Sequence, residues 1–268
     1  MGPLAKSLKR VYVFLFARKI FYPVHQYVYK LSMLGMGMQN YENDTVSGEK
    51  AFIKYITNTG ILSSGAILDV GANVGHYSVM LRKNNIKLPI YAFEPHPVTF
   101  RELEKAAATY QFTAVPFGAG EAATTTAIYD YGAGTSSHAS LYKDVIEQLH
   151  HGVAQEVAIA LTTIDEFVAA HQINEIALLK IDTEGHELAV LNGAKETIRR
   201  GIVKAVQIEF NSMHVISRTF LKDIVDLLPE YEFYRLLPDG LRALGKYNTI
   251  TYEIFSFQNV VAIRKTAR

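Results

Sequence analysis

The sequence predicts an open, mostly parallel β-sheet with helices on both faces. Three observations carry that expectation. From residue 66 onward, short apolar runs alternate with helical patterns, the rhythm of strand–helix–strand units. The run Ala66-Ile67-Leu68-Asp69-Val70 opens into Gly71-Ala72-Asn73-Val74-Gly75 and then a helical pattern. Two further runs close on acids, Phe93-Glu94 and Ile181-Asp182. Ligands of open α/β sheets sit beyond such strand ends. The 268 residues suit one such sheet with additions. With 49% hydrophobic and 20% charged residues the chain can bury a core. The net charge of +1 gives no nucleic-acid footprint. Cysteine is absent, which removes disulfides, thiolate zinc sites and a thiol nucleophile, and agrees with a reducing compartment.

Residues 1–40 read as a basic, aromatic-rich helical extension, and 41–268 as the main domain. Before Glu42 the charges are Lys6, Lys9, Arg10, Arg18, Lys19 and Lys30, with no acid. The apolar run 11–17 is broken by Arg18-Lys19 and falls far short of the ~20 residues that span a bilayer. Two main readings stand: an extension packed on the domain or a second subunit, or an interfacial anchor with basic groups at headgroup level. An uncleaved signal anchor is a third; no small-residue cleavage site follows the run.

The polar stretch 40–49 reads as the junction. A helix is expected over 49–59, with Phe52, Ile53 and Ile56 on one face and Gly60 ending it. Strand 66–70, helix 75–84, strand 89–93, helix 97–110 and strand 112–117 follow, with Pro97 suited to a first turn. Residues 122–140 read as a β-hairpin and a small-residue loop, 132–137. After strand 157–161, Thr163 and Glu166 form a capping box for a helix to about 171. Strand 176–182, helix 187–200, strand 203–210, helix 219–228 and strands 231–237 and 254–263 complete the chain. No repeat or low-complexity tract interrupts it.

The glycine loop points to a nucleotide-type cofactor. Gly71 permits backbone geometry closed to other residues, and Gly75 allows close approach at the helix start. Glu94, ending the next strand, can accept hydrogen bonds from both ribose hydroxyls. A dinucleotide loop needs Gly-x-Gly-x-x-Gly to reach a pyrophosphate. Here Asn73 replaces the second glycine, and no Gly-Lys-Ser/Thr phosphate loop is present. S-adenosylmethionine has a ribose and no phosphate; Asp69 suits its cationic end and the loop N–H groups its carboxylate. The cofactor-binding set is therefore Asp69, Gly71, Asn73, Gly75, His76, Glu94 and Gly118, the last where an adenine ring would approach the backbone. A nicotinamide cofactor, or a purely structural glycine turn, is the competing reading.

With those residues in view, Ile67 to Gly75 and Phe93-Glu94-Pro95 resemble the first two motifs of class I methyltransferases. Lys180-Ile-Asp-Thr-Glu-Gly-His-Glu187, Leu191-Asn-Gly-Ala194 and Ile208-Glu-Phe-Asn211 resemble the FkbM-type methyltransferases, as does the stretch from Asn40-Tyr41 to Ser47-Gly48-Glu49. The resemblance spans roughly 41–263. It implies a Rossmann-like, seven-stranded, mostly parallel sheet whose last strand inserts antiparallel. It also implies O-methylation, often of sugar hydroxyls, without specifying the acceptor.

A sugar hydroxyl needs a base, or a metal that lowers its pKa, as the new bond forms. The candidate catalytic residues are Asp182, Glu184, His186, Glu209 and His214. Asp182 is the first candidate base, since it ends the strand nearest the loop; His186 and His214 are alternatives, because histidine titrates near neutrality. Plainer roles compete: Glu184 and Glu187 as helix caps, Glu187 also as a partner to a basic group, and both histidines as solvated residues. Asp182, Glu209 and Asn211 also offer hard oxygens for Mg²⁺. The loop 132–137 and the 16 Tyr and 14 Phe can receive a sugar's apolar face. The leading expectation is thus an S-adenosylmethionine-dependent O-methyltransferase acting on a saccharide or glycolipid precursor. It would be cytoplasmic, with possible contact to the inner face of a membrane and with oligomerisation open. The rivals are a nicotinamide oxidoreductase and a catalytically inactive scaffold of the same fold.

Overall fold

The structure, a computed structural model, describes residues 2–131 and 139–265. Two helices come first, α1 (Pro3–Phe16) and α2 (Tyr22–Gly35), each with a proline in its first turn, where the missing N–H costs nothing. α3 (Glu49–Asn58) buries Phe52, Ile53 and Ile56, the face its spacing predicts. Then follow β1 (Ala66–Val70), α4 (His76–Lys83), β2 (Ile90–Phe93), α5 (Pro97–Tyr110) and β3 (Thr113–Val115). β4 (Gly118–Ala119), β5 (Thr124–Asp130) and β6 (Gln155–Thr162) form a separate element, and α6 (Ile164–Ala170) carries the Thr163–Glu166 capping box. β7 (Ile176–Ile181), α7 (Glu187–Asn192), α8 (Lys195–Arg199), β8 (Val203–Phe210), α9 (Met213–Ser217) and α10 (Leu221–Leu227) continue the alternation. β9 (Tyr231–Leu237), β10 (Gly240–Ala243), α11 (Thr249–Tyr252) and β11 (Gln258–Arg264) end it.

The main sheet has eight strands in the order β10-β9-β11-β8-β7-β1-β2-β3. β3, β2, β1, β7 and β8 run parallel. β11 is antiparallel to both β8 and β9, so the last long strand does insert between two others. Seven strands are expected; the eighth is β10, folded back on β9 through Pro238-Asp239. Strand order reverses on either side of β1, which places a crevice at the carboxyl ends of β1 and β7. Side chains alternate across the sheet. Leu68, Val70, Leu179, Ile181, Val206 and Ile208 pack on the α6, α7 and α10 side. Ile67, Leu178, Ala205 and Val261 pack on the α3 and α4 side.

Two sequence expectations need correction and a third is narrowed. The hairpin partner of β5 is β6, not a strand before residue 140; of the expected second arm the described residues keep one bridge, Tyr129 to Ser140. β4 adds to β6 in parallel, giving a three-stranded sheet of its own. The small-residue loop 132–137 lies outside the described residues. The helix expected over 187–200 divides at Gly193, where a Cβ would overlap the Gly120 carbonyl oxygen, so helix and β4 exit touch through backbone. Finally, packing on the domain is confined to the end of the extension: α1 has no buried residue and α2 only Met33, while Met38 is fully buried and bridges Gln258.

Candidate active site

A cavity of about 950 Å³ opens over the carboxyl ends of β1, β2, β7 and β8. That is near the top of the ~300–1,000 Å³ usual for small-molecule sites. Its cofactor-side wall is built by backbone. Gly71 lies at φ +77°, and a Cβ there would overlap the Asp182 carbonyl. The β1 loop and the β7 loop therefore meet at the one residue that permits it. Asn73 takes φ +51°, and its Oδ1 accepts the Val74 N–H at 2.8 Å. The Asn73 N–H donates to Glu94 Oε2 at 3.0 Å, and the His96 N–H to Glu94 Oε1 at 2.8 Å. Burial raises the Glu94 carboxyl to about 7, against the lowering effect of those two N–H groups. Each Glu94 oxygen keeps a second lone pair, which suits two ribose hydroxyls. Gly71, Asn73, His76, Glu94 and Gly118 all line the cavity. Asp69 and Gly75 do not. Asp69 is fully buried and accepts from Ser78 Oγ at 2.7 Å, so it acts from behind the wall and does not face a cationic ligand end. Gly75, at φ +90°, lets the start of α4 close on Leu103 and Phe112.

Behind the wall runs a polar row that the sequence reading missed. Asp69, Lys180 and Gln207 are register partners on β1, β7 and β8, on the sheet face that meets α3 and α4. Lys180 Nζ lies 3.0 Å from Asp182 Oδ2 and 3.6 Å from Asp69 Oδ1, and 5.5 Å from the Tyr77 ring centre. Burial works to lower its pKa, yet Asp182, Asp69 and Glu49 together raise it, so the ammonium stays charged. Gln207 accepts from Tyr77 OH at 2.6 Å and donates to Glu49 and Asn259 at 3.0 and 3.2 Å. The signal was present: three apolar strands carry polar residues on the same face, Asp69, Lys180 and Gln207 with Glu209, and a buried polar group requires a partner.

On the reaction side, Asp182, Glu184 and Glu209 line the cavity together. Burial, then the neighbouring Asp182, push the Glu184 and Glu209 carboxyls well above the usual range. Glu184 sits at φ +54°, ahead of Gly185 at +103°, in a turn whose carbonyl accepts Ser140 Oγ at 2.8 Å. That contact ties the inserted segment to the turn. Glu209 Oε1 accepts from Asn211 at 2.9 Å.

The two histidines stand elsewhere. His186 lies beside Gly120 with Nδ1 3.5 Å from Tyr142 OH, and burial lowers its pKa. His214 is wholly buried outside the cavity, its Nε2 2.9 Å from Glu187 Oε2. Its Nδ1 accepts the Asn211 N–H at 3.2 Å, which leaves Nε2 to face Glu187. Glu187 Oε1 collects the N–H groups of Thr183 and Gly185 and the Thr183 hydroxyl at 2.8, 3.3 and 3.2 Å. Although burial would raise Glu187, His214 and these donors hold it below the usual carboxylate range. His214 and Glu187 thus tie the Asp182–His186 turn to the end of β8. The Mg²⁺ reading gains no support: among the described residues no group of three or more acidic or histidine side chains is placed to hold a metal. Asp182 spends one oxygen on Lys180, and Glu209 one on Asn211.

With this geometry in hand, comparison with known proteins is informative. The methyltransferase FkbM domain model matches residues 69–235, more than half of the chain. The chain is similar to the hexuronic acid methyltransferase AglP of Haloferax volcanii, 26% identical over 166 residues, covering 60% of each chain. It is similar to Methyltransferase 1 of Beauveria bassiana, 26% identical over 145 residues, 47% of this chain and 57% of that one. The chain therefore matches about 60% of the length of these curated relatives. The methyltransferase FkbM of Methylobacillus flagellatus KT shares 17% identity at a TM-score of 0.46, over 74% of this chain and 43% of that one. The glycine loop, Glu94 and the Asp182 turn all fall inside the matched span, and this chain belongs to the FkbM-domain methyltransferases.

Proposed function

We propose that the protein is an S-adenosylmethionine-dependent O-methyltransferase whose acceptor is a hydroxyl of a saccharide or glycolipid precursor. One observation carries the reading: Asp182, bound to Lys180 at the cavity wall, stands one backbone contact from the loop that serves Glu94. Bound S-adenosylmethionine supplies an electrophilic methyl group. Glu94, Gly71, Asn73, His76 and Gly118 would hold it, with Glu94 accepting from the ribose. Asp182 would take the acceptor hydroxyl's proton on its carboxylate as the hydroxyl oxygen gains the methyl, the broken S–CH3 bond leaving S-adenosylhomocysteine as the neutral thioether. Lys180 fixes that carboxylate in place. Glu184 and Glu209, whose pKa values burial raises, would hydrogen-bond the acceptor's other hydroxyls, a favourable arrangement for a polyhydroxylated molecule. The hexuronic acid in the name of the Haloferax volcanii relative supports a saccharide acceptor.

We take residues 1–40 as an extension distinct from a catalytic domain of 41–268, working in the cytoplasm at the inner face of a membrane. Titration calorimetry tests the cofactor reading. S-adenosylhomocysteine should bind and NADH should not; tight NADH binding without S-adenosylhomocysteine binding overturns it.

A further inference from the structure

We propose that α1 and α2 form a docking surface for anionic phospholipid, with the elbow between them as the headgroup seat. The proposal deepens the membrane-facing reading above and is independent of the methyl acceptor.

A helix on a water-exposed domain ordinarily turns its apolar stripe toward the core. α2 does the reverse. Met33 is its single buried residue. The stripe Val24, Tyr27, Val28, Leu31 and Leu34 lies on the opposite side by helical spacing and is 42–64% exposed. In α1 nothing is buried; Leu4, Leu8, Val11 and Leu15 make one exposed stripe at successive turns, with Lys6, Lys9 and Arg10 opposite. No described helix is long and apolar enough to cross a membrane. Fourteen residues reach only about 21 Å at 1.5 Å per residue, against a ~30 Å hydrocarbon core. The geometry is that of helices lying in the interface.

Charge selects the occupant. All six basic side chains of this region are exposed, and the first acid is Glu42. A second copy of the same surface would set cations against cations, whereas an anionic leaflet supplies the missing charge. The elbow adds an open depression of about 550 Å³ lined by Ala17, Arg18, Lys19, Tyr22 and His25. His25 braces it, with Nε2 donating to Phe16 O at 3.1 Å and Nδ1 3.4 Å from Tyr12 OH. Arg18 stands 5.3 Å over the Phe14 ring, which orients a guanidinium fork suited to phosphate oxygens.

The test is flotation of the full chain with phosphatidylcholine vesicles, with and without phosphatidylglycerol. S-adenosylhomocysteine binding by each variant serves as the control for an intact fold. Full-length protein should float with the anionic vesicles only. It should be released as salt rises from 0.1 to 1 M, where the Debye length falls from about 10 to about 3 Å. The pair Arg18→Glu/Lys19→Glu should weaken binding roughly 25-fold or more, from about fivefold per basic group removed. Leu8→Asp/Leu15→Asp should abolish it. Flotation unchanged by the Arg18/Lys19 pair overturns the elbow seat while leaving membrane contact standing. Absence of flotation overturns both, and a dimeric mass in that case assigns the stripes to a second copy. S-adenosylhomocysteine binding by non-floating protein keeps the methyltransferase reading apart from either failure.

Discussion

The two halves of the cavity are built on different principles. At the ends of β1 and β2, recognition rests on backbone: Gly71 and Asn73 in left-handed conformations, and a Glu94 carboxyl already oriented by two N–H groups. At the ends of β7 and β8, three acidic side chains crowd one wall, and two of them are driven toward the protonated form. Holding a ligand requires donors and acceptors aligned beforehand, whereas on the other side the proposed base, Asp182, is a carboxylate fixed by Lys180 between two carboxyls of raised pKa. On the proposed function these tasks fall on different strand pairs, joined at the Gly71–Asp182 backbone contact and through Lys180.

The largest expected effect lies in the reaction half. Asp182→Asn should slow methyl transfer by ~10²–10⁴-fold, the usual worth of a positioned base. S-adenosylhomocysteine affinity by calorimetry should stay unchanged. A matching loss of affinity would erase the division between the halves.

Next comes the lock beneath that half. His214→Ala removes a hydrogen bond to a buried, ionised Glu187 and should lower unfolding free energy by about 2–3 kcal/mol, read from urea melts. Loss of rate at undiminished stability would return His214 to the chemistry.

The smallest effect sharpens the cofactor half. Glu94 in the empty protein titrates near 7, above its ordinary 4.5. Its contribution to stability is therefore fullest below about 4.5 and is lost as pH rises through about 7. Ribose hydroxyls donate to the ionised form, so S-adenosylhomocysteine should bind more tightly as pH rises through 7 and weaken by up to about tenfold per unit below it. Binding measured across pH should show that slope in the native protein and a flat, weaker profile in Glu94→Gln. A flat native profile would place the ribose elsewhere.

Much of the parallel sheet was legible, for a local reason. β1, β2, β7 and β8 are short apolar runs, and each helix between them carries its own stop or cap, such as Gly201 or the Thr163–Glu166 box. β10 was missed because its residues lack an apolar pattern; the Pro238-Asp239-Gly240 turn was its one clear sign. The β5–β6 pairing was misplaced because a 24-residue connection separates the partners, residues 131–154, and no local signal encodes a pairing at that range. In the site, Asp182, Glu184 and Glu209 stood at strand ends, where spacing alone locates them. Lys180 and Gln207 were passed over as interior strand residues, although together they form the row behind the wall.

The sequence by itself determined the strand ends, the glycine loop and the acids that terminate the strands, because these depend on residues adjacent in the chain. Only the tertiary structure decided which of those acids share a cavity, that Asp69 and His214 serve from within the core, and that the α2 stripe turns away from it. Those outcomes depend on which strands become neighbours and which face each helix buries, and both are set by burial summed over the whole molecule.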